Sequence, residues 1–348
     1  MGCGGIGGVI AGHLAELGLD VTAISRNQAV VDAVSSRGLQ LRGEGGERSV
    51  PVRTLTEVPR EERFDWVLLA TQPQDVEQAA RQALPSLSAE GRLVVLQNGL
   101  CEERVARVAN DAGRVVGGIV AWGASMVEPG VYDRTSSGGF TLGRLDGRDD
   151  VRLDALATPL EAIGEVQRTH NLAGARWSKL ALNCTISSLG ALSGERLGWL
   201  VQKRNIRRLA LEIMSEVVTV AQRLDVKLEK VSGTLDLDWM ALTRDERRQV
   251  IGSMGLASKH AMLLAVGLRY RRLRSSMLSA IERGREPPIA FLNGEVVERG
   301  ERLGVPTPVN RAICDRLATI GAGHQRPARH HVLDLFHETR PAVAALAA

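Results

Sequence analysis

Three of the four glycines within the first seven residues, at a fixed spacing, constrain this chain more than any other feature. It opens Met1-Gly2-Cys3-Gly4-Gly5-Ile6-Gly7-Gly8, continues as an amphipathic run to Leu17, halts at Gly18 and resumes as an apolar strand, Asp20-Val21-Thr22-Ala23-Ile24. Gly2, Gly4 and Gly7 form G-x-G-x-x-G, and glycines, helix and strand in that order predict a dinucleotide-binding βαβ unit. The glycines there make the tight turn, let the backbone approach a pyrophosphate and let the helix pack on the strand. The phosphates are expected at the helix N-terminus, where N–H groups and the helix dipole favour an anion.

No strand precedes these glycines. In such a unit it is the central strand, about six buried residues at roughly 1.5 to 3 kcal/mol each, against a domain's net stability of about 5 to 15 kcal/mol. The expectation is that the natural polypeptide starts several residues upstream and that Met1 is a misassigned or truncated start.

The 348 residues are enough for two domains, and 44% hydrophobic content can fill a core in each. The expected division is an α/β Rossmann-like domain, its first strand apparently missing, over residues 1–172, and an all-α domain over 173–348. A net charge of +4 with scattered arginines and 3% aromatics argues against a nucleic-acid partner and suits a small anionic substrate or cofactor. Cys3, Cys101, Cys184 and Cys314 have neither disulfide-framework nor metal-ligand spacing, as expected in reduced cytoplasm. With no apolar run of membrane-spanning length and no leader pattern, a cytoplasmic protein without a membrane partner is expected.

Further strands are predicted at 64–70, 91–96, 115–120 and 139–142, with a helix after Pro73 and a turn at Pro129-Gly130. Ser25-Arg26-Asn27 closes the strand after the glycine helix. An acid there would hold the ribose 2′-hydroxyl of NAD, whereas Arg26 suits the 2′-phosphate of NADP. The strand at 91–96 runs into Gln97-Asn98-Gly99, at the carboxyl edge where open α/β sheets bind ligands, so Asn98 is either a ligand contact or a turn former.

Between the two halves lies Ala175-Arg176-Trp177-Ser178-Lys179-Leu180-Ala181-Leu182-Asn183-Cys184-Thr185-Ile186-Ser187. Lys179, Asn183 and Ser187 share one face at helical spacing, a polar stripe expected where the two domains meet. The chain holds 39 Arg and 5 Lys, so a lysine on that stripe stands out. Unlike arginine, lysine gives up a proton near neutral pH when partly buried. Amphipathic helices follow, including 205–224, with Leu209, Ile213, Val217, Val220 and Leu224 on one stripe.

The chain resembles the ketopantoate reductase (2-dehydropantoate 2-reductase) family nearly end to end. The likeness rests on the N-terminal glycines, Gln97-Asn98-Gly99, Trp177-x-Lys179-Leu180-x-x-Asn183, Ser275-Ser276-Met277-Leu278, Phe291-Leu292-Asn293-Gly294 and Gly304-x-Pro306-Thr307-Pro308-x-Asn310. The resemblance implies reduction of a small anionic 2-oxo acid to a 2-hydroxy acid by NADPH, with Lys179 as proton donor. It implies substrate contacts at Asn98, Asn183, Ser187 and Ser276. Cofactor contacts are implied at Gly2, Gly4, Gly5, Ile6, Gly7, Arg26, Gln72, Asn98 and Gly123. A homodimer is compatible with it.

The chain also departs from the family pattern. The family's usual glutamate and aspartate are Pro288 and Ala290 here, neither able to supply charge or accept a side-chain hydrogen bond. Ser187 and Ser193 replace asparagines, Gln72 replaces a lysine, and the 235–272 segment is longer than usual. The expectation is therefore a divergent reductase with a different, bulkier or more apolar 2-oxo substrate, with Glu286 or Glu295 as candidates for the missing acid. Two other readings remain: an opine- or hydroxyacid-type dehydrogenase on a larger substrate, and an NADP-binding protein without turnover. His330, Asp334 and His337 fall at i, i+4, i+7, but a surface helix explains them better and no metal is expected. Cys101 and Cys184 read as packed thiols.

Overall fold

In the computed structural model, which describes residues 1–43, 46–231, 235–248 and 253–346, the chain divides into two compact units, Met1–Leu172 and Ala173–Ala348. The first runs α1 (Gly5–Glu16), β1 (Thr22–Ile24), α2 (Gln28–Arg37), β2 (Leu39–Arg42), β3 (Arg48–Val50), β4 (Arg53–Leu55), β5 (Phe64–Leu69), α3 (Val76–Ala83), β6 (Leu87–Val95), α4 (Cys101–Ala109), β7 (Val115–Val120), β8 (Ala124–Glu128), β9 (Val131–Arg134), β10 (Phe140–Arg144), α5 (Leu153–Leu160) and β11 (Val166–Arg168).

Strands β5, β6 and β7 pair in parallel, and every residue of β7 is buried. A strand covered on both faces reads as a continuous apolar run, which is why Val115–Val120 was legible in sequence. β10 joins β7 antiparallel and β11 joins β10 in parallel. β1 pairs in parallel with β4.

The place expected for the first strand is held by Met1 and Gly2. The Met1 nitrogen donates to the Leu68 carbonyl at 2.6 Å. The Met1 carbonyl accepts from Ala70 N at 2.8 Å, and Gly2 N donates to Ile24 O at 2.9 Å. Two residues thus link β5 on one side to β1 on the other, giving the order β4-β1-(1–2)-β5-β6-β7, that of a dinucleotide-binding sheet.

A second sheet, β3-β2-β9-β8, was not expected from sequence. Its strands are short, and α1 packs on it closely: a Cβ on Gly8 would lie 2.2 Å from the Tyr132 ring. Tyr132 is fully buried, and its hydroxyl donates to Cys3 O at 3.0 Å.

The second unit is helical: α6 (Leu172–Leu182), a wide π turn (Asn183–Ser187), α7 (Ser188–Ser193), α8 (Leu197–Gln202), α9 (Arg204–Arg223), α10 (Leu237–Met240), α11 (Arg244–Arg248), α12 (Met254–Arg269), α13 (Ser276–Glu282), α14 (Asn293–Arg302), α15 (Pro308–Gly321) and α16 (Arg329–Ala345). α9 is its axis. Leu209, Ile213, Val217 and Val220 are fully buried as the apolar stripe predicts, but so are Glu212 and Glu216. Among the described residues no helix is long and apolar enough to cross a membrane.

Candidate active site

The glycine turn is built for a close backbone approach. Gly2 has φ +89°, and a Cβ there would meet Thr71 N at 2.6 Å. A Cβ on Gly7 would lie 2.1 Å from Gly2 O, and one on Gly5 would lie 2.5 Å from Ala124 O. Gly4 differs: it is exposed, and a Cβ there would meet nothing within 4 Å. α1 starts beside it with no side-chain cap and no acidic residue in its first turn. Such a helix start presents N–H donors and positive dipole to open space, which fits a pyrophosphate. Ile6 is half-buried in the same turn.

The other predicted cofactor residues lie at the carboxyl ends of strands. Arg26 follows β1, is exposed, and bonds Asp75 Oδ2 through Nη2 at 2.9 Å. Gln72 is exposed after β5, heading the short turn Pro73–Asp75. Asn98 is half-buried after β6, before Gly99 at φ +94°. Its neighbour Gln97 is turned inward, with Nε2 donating to Thr71 O at 3.1 Å and Thr71 Oγ1 at 3.2 Å. Gly123 follows β7, and its N donates to Ser136 Oγ at 2.8 Å.

In the helical unit, Lys179 is half-buried in the last turn of α6. Asn183 follows one turn later as the first residue of the π turn. Its Nδ2 is buried and has no hydrogen-bond partner among the described residues. Buried side-chain donors are nearly always satisfied, and this orphan, one helical turn from a half-buried lysine, is suited to a ligand acceptor. Ser187 closes the π turn and is buried. Ser276 is exposed at the start of α13.

A buried polar chain that sequence reasoning missed holds this turn. Ser275 Oγ donates to Ser187 O at 2.6 Å and accepts from Leu278 N at 3.0 Å, capping α13. Asn293 Nδ2 donates to Cys184 O at 3.1 Å and to Asn310 Oδ1 at 2.9 Å. Its Oδ1 accepts from Ser188 Oγ at 2.6 Å. Asn310 Nδ2 donates to Glu216 Oε2 at 2.7 Å, and Glu216 also accepts from Val309 N and Asn310 N, each at 2.9 Å. Burial pushes the Glu216 carboxyl up to about 7 despite these bonds. The available signal was a set of polar residues inside apolar helical stripes, Glu216 beside Val217 and Asn293 between Leu292 and Val296.

The departures from the family pattern are also placed. Pro288 precedes a short turn, Ile289–Phe291, and Ala290 is exposed. Glu295 is buried and bonds Arg299 at 2.9 Å, whose guanidinium lies 5.8 Å from the Trp177 ring centroid. Glu286 is exposed. Ser193 caps the end of α7, donating to Leu189 O at 2.7 Å and accepting from Glu195 N at 3.2 Å. Cys101 and Cys184 are fully buried, and burial holds the Cys184 thiol well above its usual range.

Residues 1–147 match the ketopantoate reductase PanE/ApbA family, and residues 171–321 match the family's C-terminal region. The chain belongs to the ketopantoate reductase family. It is 25% identical over 311 residues to the 2-dehydropantoate 2-reductase of Pyrococcus horikoshii, covering 89% of this chain and 92% of that one. The corresponding protein of Mesorhizobium japonicum is 26% identical over 333 residues, with 90% and 94% covered. A PanE/ApbA family ketopantoate reductase from Ralstonia eutropha superposes with a TM-score of 0.77 at 25% identity, covering 94% of this chain and 98% of that one. D-mandelate dehydrogenase, solved with NADH and anilino(oxo)acetate, shares the fold at TM-score 0.76 and 19% identity, with 92% and 97% covered. This ketopantoate reductase family member is thus an NAD(P)-dependent oxidoreductase with an α/β nucleotide-binding unit and a helical unit.

Proposed function

We propose that the protein reduces a 2-oxo acid to a 2-hydroxy acid with NADPH, and that Lys179 is the proton donor. The observation that carries this reading is the pair at the end of α6: a half-buried lysine, and one turn later an asparagine whose buried Nδ2 has no hydrogen-bond partner among the described residues. NADPH, when bound, supplies the hydride that goes to the carbonyl carbon. Negative charge then grows on the carbonyl oxygen, and the Lys179 ammonium stabilises and protonates it. Asn183 donates to the substrate through Nδ2, with Ser187 and Ser276 as further substrate contacts and Asn98 as a contact to both nicotinamide and substrate. The N–H groups at the start of α1 hold the pyrophosphate, and Arg26 exchanges Asp75 for the 2′-phosphate. Gln72 and Gly123 complete the cofactor contacts.

The substrate follows from what is absent. Pro288 and Ala290 offer neither charge nor side-chain acceptor, so a substrate hydroxyl gains nothing there and a bulkier, more apolar 2-oxo acid is favoured. The test is an NADPH-oxidation screen across 2-oxo acids, ketopantoate and branched and aromatic ones included, with wild type and Lys179→Ala. Proton transfer by a positioned group is worth roughly 10² to 10⁴ in rate. The variant is expected to lose about that much turnover while binding NADPH as before. Full turnover in Lys179→Ala, or no NADPH oxidation with any 2-oxo acid, would overturn the reading.

A further inference from the structure

The helical unit holds an apolar pocket with about 40 Å³ of open space, lined by Leu182, Ile186, Leu197, Leu200, Leu263 and Val266 among others. From Lys179 to Ser187 the half-buried residues are Lys179, Leu182, Asn183 and Ile186, and the rest are buried. Their spacing, i, i+3, i+4 and i+7, sets them on one face. Lys179 and Asn183 form its polar edge, and Leu182 and Ile186 carry the same face into the pocket wall. Another wall is tied to the remaining proposed substrate contacts. Leu197 N donates to Leu273 O at 3.0 Å, shortly before Ser276, and Ser275 Oγ donates to Ser187 O at 2.6 Å.

The simplest alternative is a packing defect sealed inside the helical core. A sealed void has buried walls on every side, whereas Leu182, Ile186, Arg207 and Val266 are only half-buried here. The two polar side chains of the lining are turned to backbone: Thr185 Oγ1 donates to Ala181 O at 2.8 Å, and Arg207 Nη1 donates to Val201 O. The walls are also fixed in place. A Cβ on Gly267 would lie 2.3 Å from Val201 Cγ1, so α12 meets α8 at a distance that only glycine permits. Leu263, Val266 and Gly267 belong to the 235–272 segment, the one longer than the family pattern, so this wall is built by the chain's own departure.

We propose that this pocket receives the branched end of an aliphatic side chain on the substrate, and that Val266 and Leu263 set the length it accepts. The inference rests on the reading of Lys179 and Asn183 as groups that hold a 2-oxo acid, and it specifies the class of acid. At about 10 to 15 Å³ for each water- or methyl-sized group, the space takes about three carbons. A branched aliphatic end fits it, a side-chain hydroxyl finds no partner in it, and an aromatic ring overfills it.

The test pairs binding with turnover. Pyruvate, 2-oxobutanoate, 4-methyl-2-oxopentanoate and phenylpyruvate are titrated calorimetrically into the full chain saturated with NADP⁺, which carries no hydride, and kcat/KM is measured for the same acids with NADPH. At about fourfold for each buried carbon, 4-methyl-2-oxopentanoate is expected to exceed pyruvate roughly 60-fold in both measures. It is expected to exceed phenylpyruvate at least about tenfold. Val266→Phe fills the pocket and is expected to cut the ratio to pyruvate at least about tenfold. Val266→Ala widens it and is expected to bring phenylpyruvate within about threefold of 4-methyl-2-oxopentanoate. A flat series in the wild type, no binding of any of the acids, or ratios unchanged in either folded variant would overturn the proposal. Should neither variant fold, the wild-type series decides alone. Turnover with a flat series removes the pocket and keeps the reductase reading; a graded Kd series without NADPH oxidation keeps the pocket and removes that reading.

Discussion

Asn293 reaches the carbonyl of Cys184 at 3.1 Å across 109 residues of sequence. That carbonyl lies inside the π turn that begins at Asn183. A π turn breaks the regular i to i−4 ladder, and such turns recur at functional sites because they redirect the residues that follow. The amide of Asn293 is what receives the displaced backbone here, while Asn310 and Ser188 fix the amide. Removing it with Asn293→Leu leaves the Cys184 carbonyl, the Ser188 hydroxyl and one Asn310 oxygen buried with one bond fewer. At about 1 to 3 kcal/mol for an orphaned buried group, with partial relaxation, the loss is expected to be about 2 to 4 kcal/mol. Urea unfolding checks this, and a loss within about 0.5 kcal/mol, typical of a surface change, would sink the account.

The second expectation concerns pH. The Glu216 carboxyl stands at about 7 in the folded chain against an ordinary 4.5, chiefly because it is buried, and against the bonds from Asn310 and Val309 and the charge of Arg247. A carboxyl raised on folding binds more protons in the folded state than in the unfolded state between those two values. Stability from this group therefore falls as pH rises from the lower value to the upper one, on the order of 3 kcal/mol in all, and is level above it. In Glu216→Gln that fall is absent, although the variant is less stable throughout because its amide meets a backbone N–H. Unfolding free energies at several pH values in both proteins test it. Parallel pH profiles for the two would remove Glu216 as the source.

Gly7 offers a test of the glycine turn itself. The Cβ of Gly7→Ala would lie 2.1 Å from Gly2 O, a backbone atom that cannot swing aside. Helix α1 must then move off the turn, at a cost of about 1 to 3 kcal/mol for overpacking, and NADPH affinity is expected to fall at least about tenfold as the N–H groups shift. Gly4→Ala is the matched control for packing: its Cβ meets nothing within 4 Å, so stability should hold while a bound pyrophosphate would be crowded. Isothermal titration with NADPH, alongside thermal melts, separates the two. Equal NADPH affinity in both variants and wild type would place the pyrophosphate elsewhere.

What the sequence disclosed follows the physics of each element. β7 was visible because both its faces are covered, and α9 because one stripe of leucine, isoleucine and valine repeats at helical spacing. The glycine turn was visible because only glycine tolerates the approaches at Gly2 and Gly7. β2, β3, β8 and β9 were hidden: three- to five-residue strands with polar alternation, such as Arg48–Val50, leave little periodic signal. The π turn was hidden for another reason. Its local sequence, Asn183-Cys184-Thr185-Ile186-Ser187, reads as ordinary helix, and the groups that hold it open are Asn293 and Ser275, about a hundred residues away. For the same cause Asn293 and Asn310 could be noticed as motif residues without a role.

The last expectation separates the two nicotinamide cofactors. Arg26 is 67% exposed in its side chain and pairs with Asp75 at 2.9 Å. An ion pair this open is worth about 0 to 1 kcal/mol, so Arg26→Gln should leave thermal stability nearly unchanged. A guanidinium on a 2′-phosphate is a charge-assisted bond worth about 1.5 to 3 kcal/mol. The variant is therefore expected to bind NADPH roughly 10- to 150-fold more weakly, while NADH, which lacks that phosphate, binds as before. Steady-state KM for each cofactor in wild type and variant gives the answer. If both cofactors weaken equally, Arg26 contributes to the shape of the turn after β1 and not to recognition of the phosphate. If neither changes, the 2′-phosphate is held by other residues, and Arg26 serves only its pair with Asp75.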